Sequence, residues 1–161
     1  MLTLEHIAAL VEKNRAAVAA PVKEFTLEGH AFNFNENPSI MGVTNLSADS
    51  WYRESVCLTA DSAIRRGRTL AAQGADIVDV GAESTLAHAT LVDAAGQNSK
   101  LLPVIKGLRA EGILVSVETY QPAVTRACLE AGANVLNLTG SDRGEELFRM
   151  VADHDAAVII C

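Results

Sequence analysis

Residues 77–85 read Ile-Val-Asp-Val-Gly-Ala-Glu-Ser-Thr, and the reading of this stretch decides the fold. Its first half is an apolar run with one carboxylate, Asp79, inside it. Its second half is a turn of small residues and side-chain oxygens. A helix-like segment ending in Gly74 precedes it. This order describes a buried strand that delivers Asp79, Glu83, Ser84 and Thr85 to the rim of an α/β fold. Ligand sites in such folds lie at the carboxyl ends of the strands.

Working outward, residues 71–81 and 129–140 share a pattern: a helix end, Gly-Ala-Asx, an apolar strand with one polar residue in it, and a Gly. Repeated βα units read this way. Residues 59–73 predict the helix before the first of these strands, with Thr59 as N-cap and Gly74 at the C-terminal cap. Its inner stripe is Ala63, Ile64, Gly67, Leu70 and Ala71. Upstream, residues 39–44 predict a core strand that runs into a polar loop over 45–52. Downstream, helices are expected over 99–111, with Pro103 in or near the first turn, and over 122–131. Strands are expected over 113–117, 135–136 and 156–161, and Asp142 is a candidate cap for a last helix carrying Leu147, Phe148 and Val151. At the start of the chain, residues 3–19 predict a helix capped by Thr3 and stopped by Pro21. Phe25 and Leu27, then Phe32 and Phe34, alternate with polar neighbours around Glu28-Gly29, which predicts a short β-hairpin.

Short continuous apolar strands argue for a parallel sheet covered on both faces. With right-handed crossovers the polar strand ends gather on one edge. That edge would carry Asn45 and Asp49, then Asp79, Glu83, Ser84 and Thr85, then Glu118 and Thr119, then Asn137 and Thr139. Asp79, Glu118 and Asn137 stand out, because each sits within or at the end of an apolar strand, where an unpartnered polar group costs stability.

Composition narrows the class. A chain of 161 residues, half apolar and one-fifth charged, can bury a real core. Four Phe, two Tyr and one Trp leave that core to aliphatic side chains. A net charge of -7 with no basic patch argues against nucleic acid as a partner. No apolar run approaches the roughly 20 residues of a membrane helix, and Glu5, Glu12 and Lys13 interrupt the only early apolar segment. Cys57, Cys128 and Cys161 form no C-x-x-C pair and read as free thiols of a cytoplasmic protein. His30 and His88 lack a second ligand at metal spacing and read as loop residues.

Four segments then occur in a telling order: Ile-Met-Gly-Val-Thr-Asn-Leu-Ser-Ala-Asp-Ser-Trp (40–51), Asp-Val-Gly-Ala-Glu-Ser-Thr (79–85), Ser-Val-Glu-Thr-Tyr-Gln-Pro-Ala-Val (116–124) and Gly-Ala-Asn-Val-Leu-Asn-Leu-Thr-Gly (132–140). Over about residues 25–161 the chain resembles the dihydropteroate synthase family. The resemblance implies a (β/α)8 barrel that binds a pterin in its mouth. It also implies a transferase that joins 6-hydroxymethyl-7,8-dihydropterin diphosphate to p-aminobenzoate in folate biosynthesis, with Mg²⁺. Carried over by position, it puts Asn45 near the Mg²⁺-diphosphate, Asp79 under the pterin, Thr85 by the diphosphate or aminobenzoate, Glu118 where the family has an Asp on the pterin ring, and Asn137 at the pterin edge.

Departures accompany it. Leu86 stands where the family has an Arg, Glu118 is one methylene longer than the family's Asp, and Leu138 replaces an Asp. The family's later Lys and Arg-x-His motifs have no counterpart. The expectation is therefore a partial (β/α)8 TIM-barrel-like α/β fold of parallel βα units. It has about five core strands, an N-terminal helix (1–21) and a domain (22–161) that opens with the hairpin. The chain is read as the N-terminal part of a longer enzyme, inactive alone, with a natural half-barrel or doubly wound sheet as the alternative. Two other readings stand beside the transferase: a non-catalytic or divergent pterin- or folate-binding protein or partner subunit, and a folate-dependent methyltransferase-type barrel. Expected partners are a pterin or folate-like small molecule, with a second copy or a complementing C-terminal half closing the sheet.

Overall fold

A computed structural model of the chain describes residues 2–86, 88–139 and 144–160. The chain forms two compact units, Met1–Pro38 and Ser39–Cys161. The hairpin thus groups with the N-terminal helices, whereas the sequence reading joins residues 22 onward to the barrel.

In the first unit, α1 (Leu4–Lys13) starts at Thr3, which forms a reciprocal capping box with His6. The expected single helix breaks at Asn14, whose Nδ2 donates to the Leu10 carbonyl at 2.8 Å, and α2 (Arg15–Ala19) follows. Such a side-chain bond lets Asn end a helix turn that the apolar spacing alone would continue. Strands β1 (Phe25–Leu27) and β2 (His30–Phe32) pair antiparallel. Glu28 and Gly29 both have positive φ, 47° and 79°, which a two-residue hairpin turn of this hand requires. Phe25 stacks on Phe32 across the strands, with ring centroids 4.9 Å apart.

The second unit is built from β3 (Met41–Asn45), a 3₁₀ turn (Arg53–Ser55), α3 (Ala60–Ala72), β4 (Ile77–Gly81), α4 (Ala94–Arg109), β5 (Leu114–Glu118), α5 (Pro122–Glu130), β6 (Val135–Leu138), α6 (Gly144–Asp153) and β7 (Ala157–Ile160). The five strands pair parallel in the order β3-β4-β5-β6-β7. A doubly wound sheet reverses its strand order at a switch point. This one does not, and α3, α4, α5 and α6 each pack on the next, so the helices form one layer. That is the arrangement of a barrel segment, and it removes the doubly wound alternative.

The register shows what each face holds. Val78, Val80, Val115, Val117, Leu136 and Leu138 alternate with the polar residues, are 0–4% exposed, and join the helices' apolar residues in one core. Burying side chains of this size stabilises by about 1.5–3 kcal/mol each. The opposite face carries Asp79, Ser116, Asn45, Glu118 and Asn137.

The internal echo has a structural meaning. Helices α3, α4, α5 and α6 all end with the same backbone bond, from Ala75 to Leu70, Ile113 to Leu108, Ala133 to Cys128 and Ala156 to Val151. The residues at the turn, Gly74, Gly112, Gly132 and Asp155, all have positive φ. In the two echoed units the Asx then grips the start of the preceding strand. Asp76 accepts from Ile40 N at 2.7 Å, and Asn134 accepts from Val115 N at 2.9 Å.

Two expected boundaries are corrected. Helix α4 begins at Ala94, capped by Asp93 accepting from Gly96 N at 2.8 Å, so Pro103 lies inside the helix rather than in its first turn. The fourth core strand runs on to Leu138, which puts Asn137 within it. The proposed cap Asp142 and the terminal Cys161 lie outside the described residues.

Candidate functional site

Asn45, Gly81, Glu118 and Asn137 are register partners at the carboxyl ends of β3, β4, β5 and β6, and so form one row on one face of the sheet. Val43, Asp79 and Ser116 form the row beneath. Side-chain alternation, together with parallel pairing, makes this juxtaposition from residues far apart in sequence.

Asp79 is 4% exposed. Its Oδ2 accepts from Asn137 Nδ2 at 3.2 Å, while Oδ1 has no partner among the described residues. Burial raises its pKa; Ser116 and Asn137 oppose the rise. Ser116 lies beside it, but Ser116 Oγ makes no hydrogen bond of ordinary geometry. Among the described residues an acceptor and a hydroxyl thus stand side by side in the floor of the site without a well-formed bond, near enough for the hydroxyl to lower the carboxyl pKa.

Glu118 is half-buried. Burial first, and then the charges of Asp79 and Glu83, push its pKa up to about 7. Its carboxylate leans over Gly81: a Cβ on Gly81 would meet Glu118 Oε2 at 2.8 Å and Asn45 Oδ1 at 3.4 Å. The glycine therefore leaves a small space on which two oxygens converge.

Asn45 is oriented by its loop. Ser55 Oγ donates to the Tyr52 carbonyl at 2.6 Å, so it must accept from Asn45 Nδ2, also at 2.6 Å. Ser50 Oγ is 3.0 Å from the same nitrogen. This fixes the amide, with Oδ1 turned to the row.

A cavity of about 430 Å³ opens above, lined by Thr85, Leu86, Leu91, Glu118, Tyr120 and Thr139 among others. Its size suits a small heterocyclic ligand. Thr85 is exposed on its wall and Glu118 is at its base. Asp79 and Asn137 lie in the sheet itself, and Asn45 stands at the far end of the row. Asn45, Glu118 and Asn137 thus share the strand-end row, Asp79 lies in the row beneath, and Thr85 is on the loop; of the five, Thr85 and Glu118 line the cavity.

Other rim candidates have structural work. Asp49 accepts from Thr90 N at 3.0 Å, which lowers its pKa, and Ser84 Oγ donates to the Asp49 carbonyl at 3.3 Å. Glu83 Oε2 accepts from Val92 N at 2.6 Å, and its Oε1 from the Tyr120 hydroxyl at 2.7 Å. That hydrogen bond is the main cause of a raised Tyr120 pKa. Sequence reasoning missed Gln97 and Gln121, which both reach the Val92 carbonyl. A Gln inside an apolar helical stripe is the signal for Gln97, hidden because the helix was expected to start after it.

The chain is similar to the folate synthesis bifunctional protein of Arabidopsis thaliana, with 32% identity over 81% of this chain and 28% of that protein. To the dihydropteroate synthase of Streptococcus pyogenes serotype M1 it is 33% identical, over 86% of this chain and 50% of that one. In structure it is similar to Xanthomonas albilineans dihydropteroate synthase with 4-aminobenzoic acid, with a TM-score of 0.71 and 32% identity over 85% of this chain and 51% of the other. Burkholderia cenocepacia dihydropteroate synthase complexed with 7,8-dihydropteroate gives a TM-score of 0.70 and 30% identity, over 86% and 45% of the two chains. The chain thus spans about half the length, or less, of the relatives it matches. The family described as pterin binding enzyme matches residues 41–161, which take in all five strands of the parallel sheet and every position of the polar row. The chain belongs to the pterin-binding enzyme family.

Proposed function

We propose that the chain binds a pterin on the polar row of its sheet, as the N-terminal part of a dihydropteroate synthase-type transferase. The observation that carries this is Asp79: a carboxylate buried in an apolar sheet, with Oδ1 unpaired among the described residues, on the face it shares with Glu118. Leaving such an acceptor without a donor costs about 1–3 kcal/mol. The amino-pyrimidinone edge of a pterin presents N–H donors in one plane, which carboxylate and amide oxygens accept. On this reading Asp79, Glu118 and Asn137 hold the ring, and Thr85 faces the diphosphate or the aminobenzoate.

The transfer forms a bond from the aminobenzoate nitrogen to the pterin methylene carbon. The bond from that carbon to the diphosphate oxygen breaks, diphosphate leaves with the electron pair, and the nitrogen loses a proton. Asn45 offers an amide oxygen of the kind Mg²⁺ takes, and Mg²⁺ is commonly held by few protein ligands together with substrate phosphates. Bound there, it would neutralise charge on the leaving diphosphate.

Titration calorimetry with 6-hydroxymethylpterin tests the reading. Saturable binding is expected, weakened about tenfold or more in Asp79→Asn, which removes a charged acceptor without changing shape. Equal affinity in the two proteins would take Asp79 out of the site. No binding by the parent chain would sink the reading. Leu86 on the cavity wall favours a second reading, a pterin-binding protein without turnover. The two separate on whether the protein that contains this chain makes 7,8-dihydropteroate.

A further inference from the structure

Among the described residues of the connection from Gly81 to Ala94 there is no helix or strand, yet the backbone of one residue within it is gripped from both sides. The Val92 N–H donates to Glu83 Oε2 at 2.6 Å. The Val92 carbonyl accepts from Gln97 Nε2 at 3.1 Å and from Gln121 Nε2 at 3.0 Å. These three side chains come from the loop itself, from the first turn of α4 and from the start of α5. Gln97 is 1% exposed, and its own oxygen accepts from Thr119 Oγ1 at 3.3 Å. Glu83 Oε1, meanwhile, accepts from the Tyr120 hydroxyl at 2.7 Å. The loops after β4 and after β5 are therefore joined through one carboxylate and the backbone of one residue.

From this we infer that Glu83, Gln97 and Gln121 are positioning residues that clamp the Val92 backbone on both sides and so preorganise the wall of the ligand cavity. The wall between the clamp and the sheet carries Thr85, Leu86, Ala89 and Leu91, and Leu91 is 80% exposed. Little apolar burial holds such a segment, so its order must come from hydrogen bonds: Thr90 N donates to Asp49 Oδ2 within it, and others hold its two ends. Ser84, bonded to the Asp49 carbonyl, holds the near end. The Val92 clamp holds the far end. A loop ordered in advance spares the ligand the entropy of ordering it, and affinity rises accordingly. A glutamine in the first turn of α4 would otherwise be a poor choice for a buried position, since its amide needs both donors and an acceptor satisfied. The Val92 carbonyl and the Thr119 hydroxyl supply partners for both ends of that amide.

This inference rests on the pterin reading for its ligand but not for its geometry, and its test separates the two. Hydrogen exchange of the unliganded chain and 6-hydroxymethylpterin affinity are measured for the parent, Glu83→Ala, Glu83→Gln and Tyr120→Phe. In Glu83→Ala, exchange over residues 84–92 should rise about tenfold or more and affinity should fall by a similar factor, from the loss of a charge-assisted bond. Glu83→Gln keeps the length and one acceptor oxygen and should restore most of both. Tyr120→Phe removes a single hydroxyl at an exposed position, so it folds, and it should show a smaller change in the same direction. Unchanged exchange over 84–92 in both Glu83→Ala and Tyr120→Phe would overturn the clamp. Faster exchange with undiminished affinity would overturn its positioning role. If the parent binds no pterin, the functional reading fails, and the exchange data still decide the clamp.

Discussion

Glu118 ends β5 with its carboxyl group half-buried, beside Asp79 and Glu83. Its ionisation is therefore unfavourable in the folded chain. Its folded pKa of about 7 lies above the ordinary value of 4.5, so the native state holds a proton that the unfolded state releases. Stability from this group is fully present below about pH 4.5 and is lost as pH rises through about 7. Burial raises Asp79 as well, so its contribution has the same sign. Glu118→Gln keeps the shape without the charge. It should flatten the fall in melting temperature between these pH values and make the variant more stable than the parent at pH 8. Calorimetric melts from pH 4 to 8 check it, and parallel curves for the two proteins would show that the carboxylate is solvated. At this scale the sequence was informative where a polar residue interrupts an apolar strand. Asp79, Glu118 and Asn137 are legible for that reason, and all three reach one face. Glu83 was less so. It reads as a rim residue like its neighbours, and only the fold shows that its two oxygens are spent on Val92 and Tyr120. The bond from Asn137 to Asp79 also changes what Asn137→Ala would mean, because the loss would leave Asp79 Oδ2 without the Asn137 donor.

The helices interlock through small residues. A Cβ at Gly67 of α3 would fall 2.6 Å from Leu108 Cδ2, and one at Gly107 of α4 would fall 2.5 Å from Ile64 Cδ1. The contact is reciprocal, each glycine receiving a side chain from the helix opposite. The two sites differ in how far the neighbour can retreat. Leu108 is fully buried in the core, whereas Ile64 is only partly buried. Gly67→Ala should therefore destabilise by about 1–3 kcal/mol, as overpacking does, even though Ala is the better helix former. Gly107→Ala should cost less, because Ile64 can turn outward while the helix gains propensity. Urea melts of the two variants rank them, and a Gly67→Ala protein as stable as the parent would show that the helix pair can part. Element types were readable from periodicity and caps: Thr3, Thr59 and Gly74 all act as expected. Boundaries failed where local signals conflict with tertiary ones. Pro103 suggests a helix start, yet α4 runs through it on Asp93's cap and on the burial of Gln97, Leu101, Val104, Ile105 and Leu108. Asp155 takes the positive-φ position that Gly fills at the other three helix ends, so that end carries no glycine signal.

At the scale of the molecule, the core and the candidate site draw on one stretch of chain. The core cluster runs from Leu46 to Val158, the polar row from Asn45 to Asn137, and the family match from residue 41. Strand order, like strand type, is legible from the repeat: βα units in succession place each new strand beside the last. The two-unit division at Pro38–Ser39 is not, because Phe25, Leu27 and Phe32 alternate as barrel strands also do, and pattern alone does not assign a hairpin to a unit. If the second unit holds its own core, deletion of residues 1–38 leaves every group of the site and every pair of the parallel sheet in place. The shortened chain should unfold in one cooperative transition, with a melting temperature within a few degrees of the parent's. Its affinity for 6-hydroxymethylpterin should be unchanged within about twofold, less than the 1.4 kcal/mol that a tenfold change represents. Circular dichroism melts and the same titration measure both. Loss of the transition would mean that the first unit supplies stability the core cluster does not account for. A retained transition with lost binding would instead put part of the ligand site in residues 1–38.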